Sequence, residues 1–287
     1  MVIVSHDEGA ELRATVEAMR ATMPAGAEIV VVDDASADGS ADFLTGERRG
    51  VRLLRTERPL GVAGARNAGA ALARGDVLVF SDAHVRPPDG WAAPLMRELT
   101  SPQVGAAGPA LTTLGDPSAC GVGFTWAGPD LVMRWLRGPA RLPHAVPFLG
   151  GAFVALRRTT FRRTGGFDGG CVGWGLEDAE LSLRLWRLGY EVRAVPEVAV
   201  GHLFRGRFPY AVDWRRILHN VLRVAALHLP PPAVARVVDH YAGYPRFAEA
   251  FAAVAAGDMW ERRRVVARDA VRDGRSVLEQ FGMAALL

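Results

Sequence analysis

The sequence predicts an α/β sandwich with a mainly parallel central sheet and a helical C-terminal extension. Three observations predict it. Apolar, β-branched runs alternate with helix-period segments as far as about residue 200. Several of those runs stop abruptly at acids, as strands do when their carboxyl ends open onto a ligand site. Beyond Tyr210 the strand signal ends and amphipathic helical patterning takes over. The expected division is 1–212 for the α/β unit and 213–287 for the helices.

Taken in order, Val2-Ile3-Val4 is a first short strand, and a helix runs from about Ala10 to Thr22 with Leu12, Val16 and Met19 on one face. Pro24 and Gly26 end it. Glu28 to Val32 is a second strand that runs into Asp33 and Asp34, with a new helix expected from about Ser40. Val51 to Arg55 is a third strand, and the small-residue segment from Gly61 forms a helix ending near Gly75. Its glycines lack GxGxxG spacing and do not follow a strand directly, which argues against a dinucleotide fold. The segment reads instead as a close-packed helix carrying Arg66 and Asn67 towards the nucleotide side. Val77 to Phe80 is a buried strand, followed by a turn at Pro87-Pro88 and a helix through Leu99. Val104 to Ala107 reads as a strand, while Thr112 to Phe148 has no assignable pattern. Phe148 to Leu156 is a strand entered through Gly150 and Gly151, and Arg158 to Thr164 is a short helix. Glu177 opens a helix with Leu181, Leu185 and Leu188 on its apolar face, and Val192 to Val200 is the last strand. Asp213 to Leu229 is an amphipathic helix broken by Pro230-Pro231-Pro232. Two or three further helices are expected, the last carrying Arg262, Arg263 and Arg264 as a solvated basic face.

Composition narrows the function. Half the chain is hydrophobic (49%) and 23% is charged, which is globular and not disordered. All 34 basic residues are arginine, so bound anions meet guanidinium forks or backbone amides. A formal charge of +3 is too small to suggest nucleic acid. Cys120 and Cys171 form neither a disulfide framework nor a zinc motif. With neither a signal-peptide pattern nor a long apolar run, a cytoplasmic protein is expected, with membrane contact at most peripheral.

Chemistry concentrates at the strand ends. Strand alternation places residues i and i+2 on one side, so Asp82 and His84 are expected to point together out of the sheet, able to hold a cation. Asp33 and Asp34 end a buried strand, which is costly unless something binds them.

Several motifs in order then resemble a known family. They are Asp33-Asp34 with Asp38-Gly39, Asp82-Ala83-His84, Gly90-Trp91, Gly123-Phe124-Thr125-Trp126, and Gly150-Gly151-Ala152-Phe153. Trp174-Gly175-Leu176-Glu177-Asp178 and Gly201-His202-Leu203-Phe204-Arg205, ending in Pro209-Tyr210, complete the set. The pattern is similar to the GT-A glycosyltransferases of family 2, and closest to the catalytic domain of the polypeptide N-acetylgalactosaminyltransferases. The resemblance spans roughly residues 1 to 212. It implies a GT-A sandwich and an enzyme that moves a sugar from a nucleotide donor, a UDP-hexose or UDP-N-acetylhexosamine, to a peptide, natural product or glycan.

It also implies roles. Asp82, His84 and His202 would bind Mn²⁺ (or Mg²⁺), a cation suited to a mixed carboxylate and imidazole set. Asp33, with Asp34 beside it, would face the uracil or ribose. Arg205 and Tyr210 would sit over the diphosphate. Glu177, Gly150, Gly151 and Trp174 would surround the donor sugar, with Arg66 nearby. One departure bears on stereochemistry: the family has Asn after its motif glutamate and retains configuration, whereas this chain has Asp178. A carboxylate can take a proton from an acceptor hydroxyl and an amide cannot. The expectation is therefore inversion with Asp178 as base. The alternatives are a retaining enzyme like the peptide transferases, and a silent sugar-nucleotide-binding protein.

Overall fold

Val2–Ser5 forms β1, and Gly9, held at φ 56°, turns the chain into α1 (Ala10–Thr22). β2 (Ile29–Asp33), β3 (Val51–Arg55), α2 (Gly61–Leu72), β4 (Val77–Asp82), β5 (Val85–Arg86) and α3 (Ala92–Glu98) follow. The computed structural model describes residues 1–46, 50–137, 142–206, 209 and 211–287. Next come β6 (Val104–Thr113), β7 (Asp116–Gly121), β8 (Phe124–Trp126), β9 (Met133–Trp135) and β10 (His144–Ala145), then β11 (Phe153–Arg157) and α4 (Arg158–Thr164). α5 (Glu177–Arg187) and β12 (Glu191–His202) complete the sheet region. The C-terminal part is α6 (Trp214–His228), α7 (Pro231–Tyr241), α8 (Phe247–Ala256), α9 (Met259–Asp269) and α10 (Gly274–Gln280).

The main sheet runs β10-β12-β6-β11-β4-β1-β2-β3. β1, β2, β3 and β4 pair in parallel, as do β6 and β12. β11 runs antiparallel between β4 and β6. Strand order departs in opposite directions from β1, so a crevice opens at the carboxyl ends of β1 and β4. Alternate residues of one strand feed opposite faces. Val2, Val30, Val32, Leu78 and Phe80 pack into one core, and Ile3, Val31 and Val79 into the other. That is why these strands read as continuous apolar runs. Leu218, Val221, Leu278 and Leu286 join the first core, so the C-terminal helices and the sheet share one packed interior.

Some expectations need correction. The acidic turn after β2 leads to a 3-10 turn, Asp42–Leu44, not a helix from Ser40. The strand expected to end at Ala107 continues to Thr113, and the unassignable stretch contains β7, β10 and the β8–β9 hairpin. Its pairs are short, so no period-2 run is long enough to read. The prolines after α6 also start α7: Pro231 occupies its first turn, where a missing N–H costs nothing. Four helices follow α6, and the arginine-rich one is the third of them. No helix among the described residues is long and apolar enough to cross a membrane.

Candidate active site

Parallel pairing brings the ends of β1, β2, β4, β6 and β12 to one edge of the sheet, where the chain also enters β11. Asp82 ends β4 and His202 ends β12, while His84 lies in the link between β4 and β5. One ligand atom from each falls within 4.8 Å of the others. His202 Nε2 lies 3.5 Å from Asp82 Oδ2, and His84 Nε2 lies 4.0 Å from it. Burial opposes charge on Asp82, but His202, Arg66 and His84 outweigh it and hold the carboxyl well below its usual range.

The surroundings fit a cation. Nδ1 of His84 lies 3.1 Å from Glu8 Oε2. A carboxylate only accepts, so Nδ1 carries a proton and Nε2 is the ring atom left to face a metal. Burial works against a charged His84 ring, while Glu8 and Asp82 overcome it and raise its pKa. Nδ1 of His202 is buried and meets no hydrogen-bond partner among the described residues. One carboxylate and two imidazoles, two of the three residues only partly buried, suit a borderline divalent ion. Glu8 also accepts a 2.6 Å bond from Arg205 Nη2 and so ties the segment after β12 to His84. Glu8 was not legible as a partner: it lies 76 positions from His84, in a turn without periodicity.

Arg66, expected to face the donor, is 1% exposed and placed underneath. Its Nη1 donates to Glu177 Oε1 (3.0 Å), and its Nη2 to Asp82 Oδ1 (3.0 Å) and the Gly151 carbonyl (2.7 Å). A Cβ on Gly151 would stand 2.8 Å from Arg66 Nη1, so the glycine admits the guanidinium. Glu177, expected to touch the donor sugar, is 5% exposed and also accepts from Gly175 N (3.0 Å). Arg66 and Glu177 therefore brace the Asp82–His84–His202 cluster against the loop that leads into α5. Arg66→Met should cost about 3–5 kcal/mol in urea denaturation, because it strands a buried carboxylate. An unchanged midpoint would refute this bridge.

The acid pair after β2 is absorbed by the fold. Asp34 Oδ1 accepts from Leu60 N (2.7 Å) and Thr56 Oγ1 (3.1 Å), and Oδ2 accepts from Gly61 N (2.9 Å). It satisfies the N–H groups that open α2, 27 residues ahead, a partnership the sequence pattern did not show. Asp33 accepts from Ser36 N (3.1 Å) and lies 3.4 Å from Arg55 Nε. Tyr210 lies outside the described residues.

Asp178 stands apart in character. Half-buried at the start of α5, it accepts from Gly151 N (2.8 Å) and from Ala179 N (2.8 Å). Burial and the neighbouring Glu177 charge push its carboxyl up to about 7, against the opposing pull of the Gly151 N–H and Arg66. Gly151 thus touches both Arg66 and Asp178, linking the metal cluster to the one acid of the set held near neutrality. Gly150 packs under Leu111 and Trp135, and Trp174 sits 42% exposed on the loop before Glu177.

That loop is held from two sides. Gly61 adopts φ +74°, and a Cβ there would lie 2.7 Å from Gly173 N. Gly61→Ala should therefore lower stability by about 2 kcal/mol. It should reduce kcat/KM further, by moving the loop; equal effects on melting temperature and activity would contradict that. From α6, Asn220 Oδ1 accepts from Val172 N (2.8 Å), and its Nδ2 donates to the carbonyls of Val172 (3.0 Å) and Gly175 (2.9 Å).

The family model described as glycosyl transferase family 2 matches residues 1–165, more than half of the chain. The chain belongs to glycosyl transferase family 2. A second model, described as the N-terminal domain of galactosyltransferase, matches residues 141–206 of this family 2 chain. Polypeptide N-acetylgalactosaminyltransferase 8 of Drosophila melanogaster is 34% identical over 224 residues, covering 71% of this chain and 38% of that protein. Polypeptide N-acetylgalactosaminyltransferase 15 of Homo sapiens is 31% identical over 248 residues, covering 78% and 39%. The chain thus spans about two fifths of the length of the curated relatives it matches. Among solved structures, GalNAc-T7 with UDP, GalNAc and Mn²⁺ superposes with a TM-score of 0.78 at 24% identity, covering 98% of this chain and 56% of that one. A mannosyltransferase from Pyrobaculum calidifontis with GDP-Man and Mn²⁺ gives 0.57 at 20% identity, covering 100% and 79%. These neighbours establish the GT-A fold expected from the motifs.

Proposed function

We propose that this family 2 chain is a divalent-cation-dependent glycosyltransferase that moves a sugar from a UDP-sugar to an acceptor hydroxyl, with inversion. The observation that carries the proposal is the convergence of Asp82, His84 and His202 at the strand ends, with the His84 ring oriented by Glu8. The solved neighbours hold Mn²⁺ with a nucleotide or nucleotide sugar, which supports the same use here. Bound at this cluster, Mn²⁺ would offset the charge that develops on the diphosphate as the glycosidic bond breaks. Arg205, restrained by Glu8, is the guanidinium for the diphosphate oxygens. Gly151 and Trp174 shape the space for the donor sugar. Asp178 accepts the proton of the attacking hydroxyl, and its pKa near neutrality suits a general base.

The polypeptide N-acetylgalactosaminyltransferase relatives favour a peptide hydroxyl as acceptor and UDP-N-acetylgalactosamine as donor. They also favour a second reading, retention of configuration, in which Asp178 is not a base. UDP release should be measured with a panel of UDP-hexoses and UDP-N-acetylhexosamines, with Mn²⁺ and with EDTA. Release that needs Mn²⁺ is expected, and release unaffected by EDTA would overturn the metal role. The anomeric configuration of the product, read by NMR, separates inversion from retention.

A further inference from the structure

A cavity of about 410 Å³ lies outside the metal cluster, between the Gly169–Gly173 loop, the start of α2 and the helices α6 and α8. None of its lining residues is Asp82, His84 or His202. Its volume is that of a small-molecule site. One wall is apolar, with Leu60, Cys171 and Val172, and the other carries Arg215, Arg216 and Glu249.

The charges on that wall do not cancel. Glu249 is held by Arg246 at 2.9 Å and lies only 3.9 Å from Arg215. Asp213 is shared, at 3.5 Å from Arg215 Nη2 and 3.6 Å from Arg216 Nε. Three arginines thus face two carboxylates, and the approach of Arg216 to Asp213, 3.6 Å through Nε, is too long for a hydrogen bond. Burial lowers the pKa of His219, which lines the same cavity, so its ring is neutral at pH 7. The Arg216 stem runs along the loop: a Cβ on Gly173 would lie 3.1 Å from its Cδ. An apolar wall facing a half-exposed guanidinium that only approaches Asp213 matches an anion on an apolar body.

We propose that this cavity is a second ligand site, separate from the donor site, for a small molecule with a carboxylate or phosphate ester on an apolar group. Arg216 provides the bidentate contact, Arg215 adds charge, and Leu60, Val172 and Ala253 receive the body. The occupant presses on the backbone that runs through Trp174 and Glu177 to Asp178. The following turn of α6 already holds that backbone through Asn220.

The test is direct binding of phenyl phosphate and of benzoate to the full chain by calorimetry, in EDTA and without donor. Saturable binding is expected for at least one probe, and the tighter of the two identifies the anion. Arg216→Gln should weaken it by about tenfold or more, the loss of one charge-assisted contact. Ala253→Phe, which fills the cavity without touching the arginines, should abolish it. Arg205→Ala, at the donor site, should leave it unchanged. The proposal is overturned if neither probe saturates by about 10 mM. It is also overturned if binding survives both cavity variants, or if only Arg205→Ala removes it. None of these readings depends on glycosyl transfer.

Discussion

Asp178→Asn should reduce kcat/KM by about 10²- to 10⁴-fold, the span a positioned general base supplies. The amide keeps the size of the side chain but has one acceptor oxygen, so it retains either the Gly151 or the Ala179 hydrogen bond; circular dichroism and melting temperature should confirm that the fold is kept. In the parent enzyme kcat/KM should rise with pH through about 7, as the carboxylate forms, and the variant should lose that inflection. Stability carries an independent signature. The folded protein holds this carboxyl near 7, above its ordinary 3.8. Its contribution is therefore fully present below about pH 4 and is lost as pH rises through 7. Urea unfolding at several pH values should show a flatter stability profile in the variant. Unchanged activity in Asp178→Asn would sink the base assignment and favour the retaining reading.

Asp82→Ala should abolish Mn²⁺ binding and bring donor-dependent UDP release to background. It removes the single carboxylate of the cluster and leaves two imidazoles facing a diphosphate without an anionic ligand to anchor the ion. Calorimetry with Mn²⁺ checks the first effect and a UDP-release assay the second. Glu8→Gln is the graded counterpart. It keeps the volume but offers His84 a neutral acceptor and loosens Arg205, so Mn²⁺ affinity should fall by about 10- to 100-fold, as when other groups that orient a ligating histidine are removed. Full Mn²⁺ affinity in Asp82→Ala would place the metal elsewhere.

What the linear pattern determined was local. The β-branched runs of β1, β2 and β4 are apolar on both faces because helices cover both sides, and that is a statement about burial which composition carries. Asp82 and His84 stood out because chemistry-bearing residues followed a buried strand directly, and Trp174 to Asp178 because a motif resembled one. What only the tertiary structure decided was pairing. The motif resemblance already set His202 beside Asp82, and the structure supplies the reason: β12 and β4 end at the same sheet edge, across 120 positions of sequence. The same register across the crevice sends Glu8 to His84, and sends Arg66 beneath Asp82 and Glu177. The sequence marked Asp34 as a donor contact but not its bonds to the N–H groups opening α2, since an acid at a strand end binds whichever N–H groups the fold brings to it. Asp178 draws its pKa from burial and from Glu177, neither of which is a property of its own position in the chain. Periodicity reports which face of a segment is buried. Which segments meet at the carboxyl edge of the sheet depends on strand order and register, and these are set by packing between residues far apart in sequence.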